Sequence, residues 1–282
     1  MGGERPVQPS PRLADSTVGP PRYTASTMSP LPEPANESPW IDPPLALKLD
    51  PGTIHLWRCT EELDSSQLAD LAKALSPEEN RRAEQYRFEP DRRRFVLCRA
   101  VLRDLLGRYL GCSAASVRFT RGPNGKPQLD ASHHDGSPLD FNLSHTKGMC
   151  LIGLAVGHPI GVDVEAIDPK RDWAMLARRF LHPGEWDMIS GLPLEQRAAA
   201  FYTCWTCKEA YLKASGEGLT RGLTTFEVIL KEDAQPVQLV DAAARPVDTS
   251  WWLRKLELDP HVAAAVASPR RPDQLQMYQY RR

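Results

Sequence analysis

No stretch of this 282-residue sequence approaches the run of about 20 apolar residues that a membrane-spanning helix needs. Its first residues carry Glu4 and Asp15 and lack an apolar core, so neither a secretory signal nor a transit peptide is expected. Charge of one sign is also missing. Lys plus Arg (35) balance Asp plus Glu (36) to a net charge of −1, without the basic excess that would draw nucleic acid or an anionic membrane. Six cysteines in a chain this long make no disulfide framework, and they point to reduced thiols in the cytoplasm. The glycine patterns of the Rossmann and P-loop nucleotide cradles are absent, and no internal sequence repeat is visible. What is left, at 41% apolar and 25% charged residues, is an ordinary globular composition with length for roughly two domains.

Proline is plentiful but lopsided: of 26, eleven fall between Pro6 and Pro44, among Ser, Thr, Gly and Glu. Such a segment cannot bury enough apolar surface to offset its ordering entropy, so residues 1–45 are expected to be a disordered tail. The folded chain is expected to begin between Leu45 and Thr53. Two parts follow, 46–158 and 159–282.

Beyond that point helical and strand patterns alternate, which makes an α/β (α+β) chain. Thr53–Cys59 reads as a strand and Asp64–Leu75 as a helix. Ser76-Pro77-Glu78-Glu79 is a capping box with proline at the first helical position. Asp91–Leu110 is a helix with Phe95, Leu97, Val101, Leu102, Leu105 and Leu106 inward, closed by Gly111. Strands are expected at Val117–Thr120, Asp140–Leu143, Met149–Val156, Ile160–Glu165, Phe226–Leu230, Trp251–Glu257 and His261–Ala267, with helices at Trp173–Phe180, Glu185–Ser190 and Glu195–Ala214.

Several constellations could carry chemistry. Between Arg81 and Arg103 eight arginines face three acids, a local excess of five positive charges without a single lysine. Arginine forks suit phosphate, and a solvated helix face with internal ion pairs is the plainer account. In Ile160-Gly161-Val162-Asp163-Val164-Glu165 the alternation puts Asp163 and Glu165 on one face of a strand and the valines on the other. Two neighbouring carboxylates suit a hard cation such as Mg²⁺, and a bare D-x-E is as often a solvent face. Glu209 and Lys213 share a helix face four residues apart, the spacing of an ordinary surface pair. Arg121–Pro127 is turn-forming, with backbone amides and Lys126 able to hold phosphate, and Phe141–Thr146 ends a strand with a hydroxyl and an imidazole. Cys204 and Cys207 form a C-x-x-C without a second pair, which reads as two small buried hydrophobes.

The order and spacing of these pieces resemble the 4′-phosphopantetheinyl transferases of the Sfp type. The matching segments are GPNGKP (122–127), FNLSHT (141–146), IGVDVEAI (160–167) and WTCKEAYLK (205–213), with the arginine-rich 76–94 upstream. Thr146 and Thr206 stand where that family often has serine. The resemblance implies two similar halves related by a pseudo-twofold axis, with the active site between them. It implies transfer of 4′-phosphopantetheine from coenzyme A to a serine of an acyl, peptidyl or aryl carrier protein, releasing 3′,5′-ADP, by a Mg²⁺-dependent monomer. By position it makes Asp163, Glu165 and Glu209 metal ligands, Glu209 the general base, and Lys213 a catalytic and pyrophosphate-binding residue. Arg82, Arg94 and His145 would meet the phosphates of coenzyme A, with Lys126, Pro127 and Ser144 along its path. The other class open to such a cleft is a module that binds coenzyme A or a nucleotide without transfer, and no nucleic-acid or membrane partner is expected.

Overall fold

The computed structural model describes residues 40–60, 64–122, 125–133, 138–218, 222–230, 238–241 and 251–281. Its elements run through one plan twice. The first pass is β1 (Thr53–Thr60), α1 (Ser65–Ala72), α2 (Pro77–Glu84), α3 (Glu89–Leu110), the hairpin β2 (Phe119–Arg121) and β3 (Pro127–Leu129), then β4 (Leu139–Thr146) and β5 (Met149–Val156). The second is β6 (Gly161–Ala166), α4 (Trp173–Phe180), α5 (Pro183–Gly191), α6 (Leu194–Ser215), the hairpin β7 (Phe226–Ile229) and β8 (Gln238–Asp241), then β9 (Trp252–Asp259) and β10 (Val262–Ser268). In each pass the first strand pairs antiparallel with the last, β1 with β5 and β6 with β10, and the last pairs with the one before it. A final strand, β11 (Gln274–Gln279), returns to lie parallel to β1.

Local chemistry accounts for the helices. Asp64, Ser76 and His182 each cap a helix whose N3 side chain reaches back to the cap backbone. The long helices α3 and α6 both end on a left-handed glycine, Gly111 (φ 65°) and Gly216 (φ 73°), the conformation that lets a C-terminus close without a Cβ clash. Phe95, Leu97, Val101, Leu102, Leu105 and Leu106 are all buried, as the periodicity predicts; the last five pack with Trp57, Phe141 and Ile152, while Phe95 stands against the Tyr86 ring.

Three expectations shift. The hairpin strand lies at Phe119–Arg121 rather than Val117–Thr120, and Pro127, read as part of a turn, opens its partner β3. The strand β11 was not expected, because its alternating glutamines look like a polar terminus; Leu275 and Met277 between them pack on the core. Of the expected 1–45 tail, residues 1–39 lie outside the described residues, and residues 40–45 correct it, because packing already begins at Trp40. Trp40 is 6% exposed, and Ile41 exchanges backbone hydrogen bonds with Met277 (3.0 Å) and Gln279 (2.9 Å). Removing residues 1–44 would therefore take out a core tryptophan.

The joint between the two passes positions everything that follows. β4 is an edge of the sheet β11-β1-β5-β4, and β6 is an edge of the sheet β6-β10-β9. The two edges face each other, and side chains bridge them. Asp140, Asn142, Ser144 and Thr146 sit on one face of β4, two residues apart. Their oxygens accept the amides of Ile160 (2.8 Å), Val162 (2.9 Å), Val164 (3.3 Å) and Ala166 (2.9 Å). Lysines serve the carbonyls of the same edge: Lys126 Nζ donates to Ile160 O and Lys213 Nζ to Val162 O, each at 3.2 Å. An edge that would otherwise present bare polar backbone is thus satisfied without a continuous backbone ladder.

Candidate active site

Helix α6 crosses β6 at a contact only glycine permits. A Cβ on Gly161 would lie 2.0 Å from the carbonyl oxygen of Ala210. This close approach brings Glu209 and Lys213 to the face on which Asp163 and Glu165 project. Asp163, Glu165, Glu209 and Lys213 line one cavity of about 370 Å³, together with Leu143, Ser144, His145 and Trp205. Asp163 is 4% exposed, so the D-x-E is no solvent face.

Ser144 and Lys213 hold Asp163. Ser144 Oγ donates to Asp163 Oδ1 at 2.7 Å, and Lys213 Nζ reaches the same oxygen at 2.6 Å and Ser144 Oγ at 3.1 Å. Lys213 therefore pairs with Asp163 on the neighbouring strand β6, and reaches Ser144 across the joint, rather than pairing along its helix with Glu209 as the i,i+4 spacing suggested. The other oxygen, Asp163 Oδ2, is buried with no hydrogen-bond partner among the described residues. Burial and then the Asp163 charge push the Glu165 carboxyl up to about 7. The same two causes, in the same order, raise Glu209. Crowded, partly dehydrated carboxylates with a spare buried oxygen are a hard-oxygen donor set, which fits Mg²⁺. Among the described residues no group of three or more His, Cys, Asp or Glu side chains is placed to hold a metal ion by itself. Mg²⁺ does not require one, since it is commonly held by one or two carboxylates, waters and substrate phosphates.

A second cavity of about 230 Å³ adjoins the first and shares Leu143 and His145 with it. Its walls include Arg82, Tyr86, Arg99, Lys126, Pro127 and Asn142. Arg82 stands over the Phe95 ring at 5.3 Å, and Arg99 over Phe119 at 4.8 Å while its Nε donates to Glu79 at 3.0 Å. Arg94 is not among the lining residues of either cavity: it pairs with Asp91 at 3.2 Å. Desolvation in the cleft and then the Arg94 charge hold the His145 imidazole below its ordinary value. Lys126 lines this cavity, but its ammonium is spent on the Ile160 and Lys213 carbonyls (3.2 Å each) rather than free for phosphate. Pro123 and Asn124 of the turn lie outside the described residues.

The sequence pattern of the 4′-phosphopantetheinyl transferase superfamily matches residues 159–266, and that of the 4′-phosphopantetheinyl transferase N-terminal region matches 57–155. The 4′-phosphopantetheinyl transferase HetI of Nostoc sp. is 40% identical over 228 residues, 81% of this chain and 92% of its own length. The chain belongs to the 4′-phosphopantetheinyl transferase superfamily. The transferase psf-1 of Bacillus pumilus is 32% identical over 72% of this chain and 82% of its own, and Sfp of Bacillus subtilis is 27% identical over 73% and 88%. Among solved structures, a holo-(acyl-carrier-protein) synthase from Bacillus anthracis in complex with CoA (3′,5′-ADP) overlaps 39% of this chain and 93% of its own, at 23% identity and a TM-score of 0.32.

The transferase carries one feature at its site that motif reading overlooked. Lys208, next to Glu209, and Glu185 of α5 form an ion pair of 2.9 Å with both side chains fully buried. Lys208 Nζ also donates to the carbonyls of Leu223 (2.7 Å) and Phe226, and Glu185 accepts the amides of Val228 (2.7 Å) and His182 (2.8 Å). The first half has the counterpart. Glu79, like Glu185 the N3 residue of a capping box, takes Arg103 Nε at 2.6 Å, and Arg103 donates to the carbonyls of Ala114 and Val117. Arg103 and Lys208 hold the same position in their 22-residue helices. Tyr86, which lines the second cavity, was not singled out by sequence, and Arg99, Asn142 and Trp205 were read only as members of the arginine cluster and of the matching segments; Asn142 could have been found from the D-x-N-x-S-x-T alternation. Cys204 and Cys207 are buried in α6, as read, and all six cysteines are free. Among the described residues no helix is long and apolar enough to cross a membrane.

Proposed function

We propose that this transferase binds coenzyme A across the two joined cavities and passes its 4′-phosphopantetheine to the serine of a carrier protein. The observation that carries the reading is the meeting, at Leu143 and His145, of an arginine-lined cavity with one holding three carboxylates and a lysine. The second cavity suits the nucleotide end. Arg82 offers a guanidinium fork already placed over the Phe95 ring, and Arg99, whose fork is taken by Glu79, adds positive charge to the wall, with the Arg94 charge and His145 beside them. The first cavity suits the pyrophosphate. There Asp163, Glu165 and Glu209 would hold Mg²⁺, which supplies charge neutralisation on the pyrophosphate when bound. Lys213 would leave Asp163 to meet phosphate oxygens and stabilise the charge that develops on the departing 3′,5′-ADP. Glu209 takes the proton of the attacking serine. The serine oxygen forms its bond to the β-phosphorus of coenzyme A as the bond to the departing 3′,5′-ADP breaks. Glu209 is suited to this, because burial and the Asp163 charge raise its affinity for a proton.

Ser144 enters this reading through Asp163, to which it donates, as much as through the coenzyme's path. A cleft that binds coenzyme A without transfer is the weaker reading, since it has no use for three acids and Lys213 around one cavity. Six free cysteines fit a cytoplasmic setting, and the monomer is carried over from the family resemblance. A panel of apo carrier proteins incubated with the enzyme, coenzyme A and Mg²⁺ should gain the mass of one phosphopantetheine on at least one member. Binding of coenzyme A with no mass gain on any carrier would sink the catalytic reading.

Arg82 and Arg94 give an independent check. A hydrogen bond to a charged group contributes about 1.5–3 kcal/mol, so Arg82→Ala should weaken coenzyme A binding about 10- to 150-fold in calorimetry. Arg94→Ala should fall at the low end of that range, because Arg94 is set back from the cavity walls and already paired with Asp91. Unchanged affinity in both variants would return the arginine cluster to a solvated helix face.

A further inference from the structure

We propose that Thr146 is a positioning residue for the acidic strand, acting through the backbone on either side of Glu165. Thr146 lines neither cavity and is 8% exposed. Its Oγ1 accepts the amide of Ala166 at 2.9 Å, one residue after Glu165, while Ser144 Oγ accepts the amide of Val164, one residue before it, at 3.3 Å. Glu165 is thereby clasped from β4 on both flanks. No backbone pairing joins β6 to β4, so these side-chain acceptors are what hold that edge in place.

The other edge of β6 is not an alternative source of the same precision. Pairing with β10 fixes the strand within its own sheet, with Asp163 opposite Ala265 and Glu165 opposite Ala263. The cavity, however, is built from both sheets and α6, with Ser144 and His145 contributed by β4. The distance between Glu165 and the β4 wall is set across the joint, and Thr146 is its last rung. Losing that rung leaves the Ala166 amide, part-buried, without an acceptor, and the strand end is free to drift from the cleft. Valine has the shape of threonine without the oxygen; serine has the oxygen without the methyl. The two substitutions therefore separate the hydrogen bond from packing.

The inference rests on the reading of Asp163, Glu165 and Glu209 as cation ligands, and the experiment keeps the two apart. Full-length wild type, Thr146→Val and Thr146→Ser are compared with Mn²⁺ as a paramagnetic probe, in the presence of coenzyme A and without carrier protein. Bound Mn²⁺ is counted by electron paramagnetic resonance, and amide exchange at Ala166 is followed by NMR. Partners behind metal ligands commonly change metal affinity by about 10- to 100-fold, and a rung acting through backbone belongs at the lower end. Thr146→Val should weaken Mn²⁺ binding about 10-fold and speed exchange at Ala166, and Thr146→Ser should match wild type in both. Mn²⁺ affinity unchanged in Thr146→Val, or a Thr146→Ser as weak as Thr146→Val, overturns the proposal. Wild type that binds no Mn²⁺ with coenzyme A removes the cation reading, and with it the basis for the role of Thr146.

Discussion

Replacing Glu209 by glutamine should slow transfer by about 10²- to 10⁴-fold, the usual worth of a positioned general base. Adding Mg²⁺ should not restore the rate. Glutamine keeps the length of the side chain and one oxygen that can meet a cation, but it cannot accept a proton. The contrast is Asp163→Ala. That substitution removes the carboxylate with the spare buried oxygen and also the partner of Lys213, so its defect should be eased by high Mg²⁺. Both variants are to be followed by mass spectrometry of a carrier protein across a range of Mg²⁺. Full recovery of Glu209→Gln at high Mg²⁺ would make Glu209 a ligand only. Proton removal would then fall to water.

How far these roles can be read from sequence depends on whether the partners are local. The V-D-V-E alternation places Asp163 and Glu165 on one face, and that holds. Whether the face is wet or buried is decided by α6 crossing at Gly161 and by Ser144 on another strand, neither of which a strand pattern encodes. The Glu209–Lys213 spacing looks like a helix-surface pair for the same reason: the competing partner, Asp163, lies 50 residues away in sequence. Trp40 escaped because its neighbours Pro39, Pro43 and Pro44 give the segment the composition of a tail.

The repeated plan of the two halves was invisible as sequence because what recurs is a set of hydrogen-bond roles, not residues. Ser76-Pro77 and His182-Pro183 both open a capping box that ends in glutamate, and the basic partner is arginine in one half and lysine in the other. Elements built on local signals such as caps, glycine stops and helical periodicity were legible to within a few residues. The joint between halves was legible only as a run of alternating polar residues, 140 to 146, read as a strand end bearing a hydroxyl and an imidazole rather than as a row of acceptors for a second strand.

Breaking the buried pair beside Glu209 should be the most destabilising single change. Lys208→Met removes the cation paired with Glu185 while keeping most of the apolar volume over the Phe226 ring, which Lys208 Nζ approaches to 4.2 Å. Loss of one member of a buried pair typically costs about 3–5 kcal/mol, because the other is left charged and dehydrated. Burial already pushes the Glu185 carboxyl up and the Lys208 ammonium down in the intact protein, each opposed by its partner. Without Lys208 the Glu185 value should rise further, and the folded state then binds a proton that the unfolded state releases. Its stability must therefore fall as pH rises from the ordinary glutamate range, about 4.3, through the raised folded value. Urea unfolding of Lys208→Met should give a midpoint that drops as pH rises above the ordinary glutamate range, more steeply than in wild type. Glu185→Gln combined with Lys208→Met should cost less than the two single losses added, by about 0.5–3 kcal/mol, since neither charge is then stranded. Additive losses with no pH dependence in Lys208→Met would mean that packing, not the charge pair, holds α5, α6 and β7 together around the site.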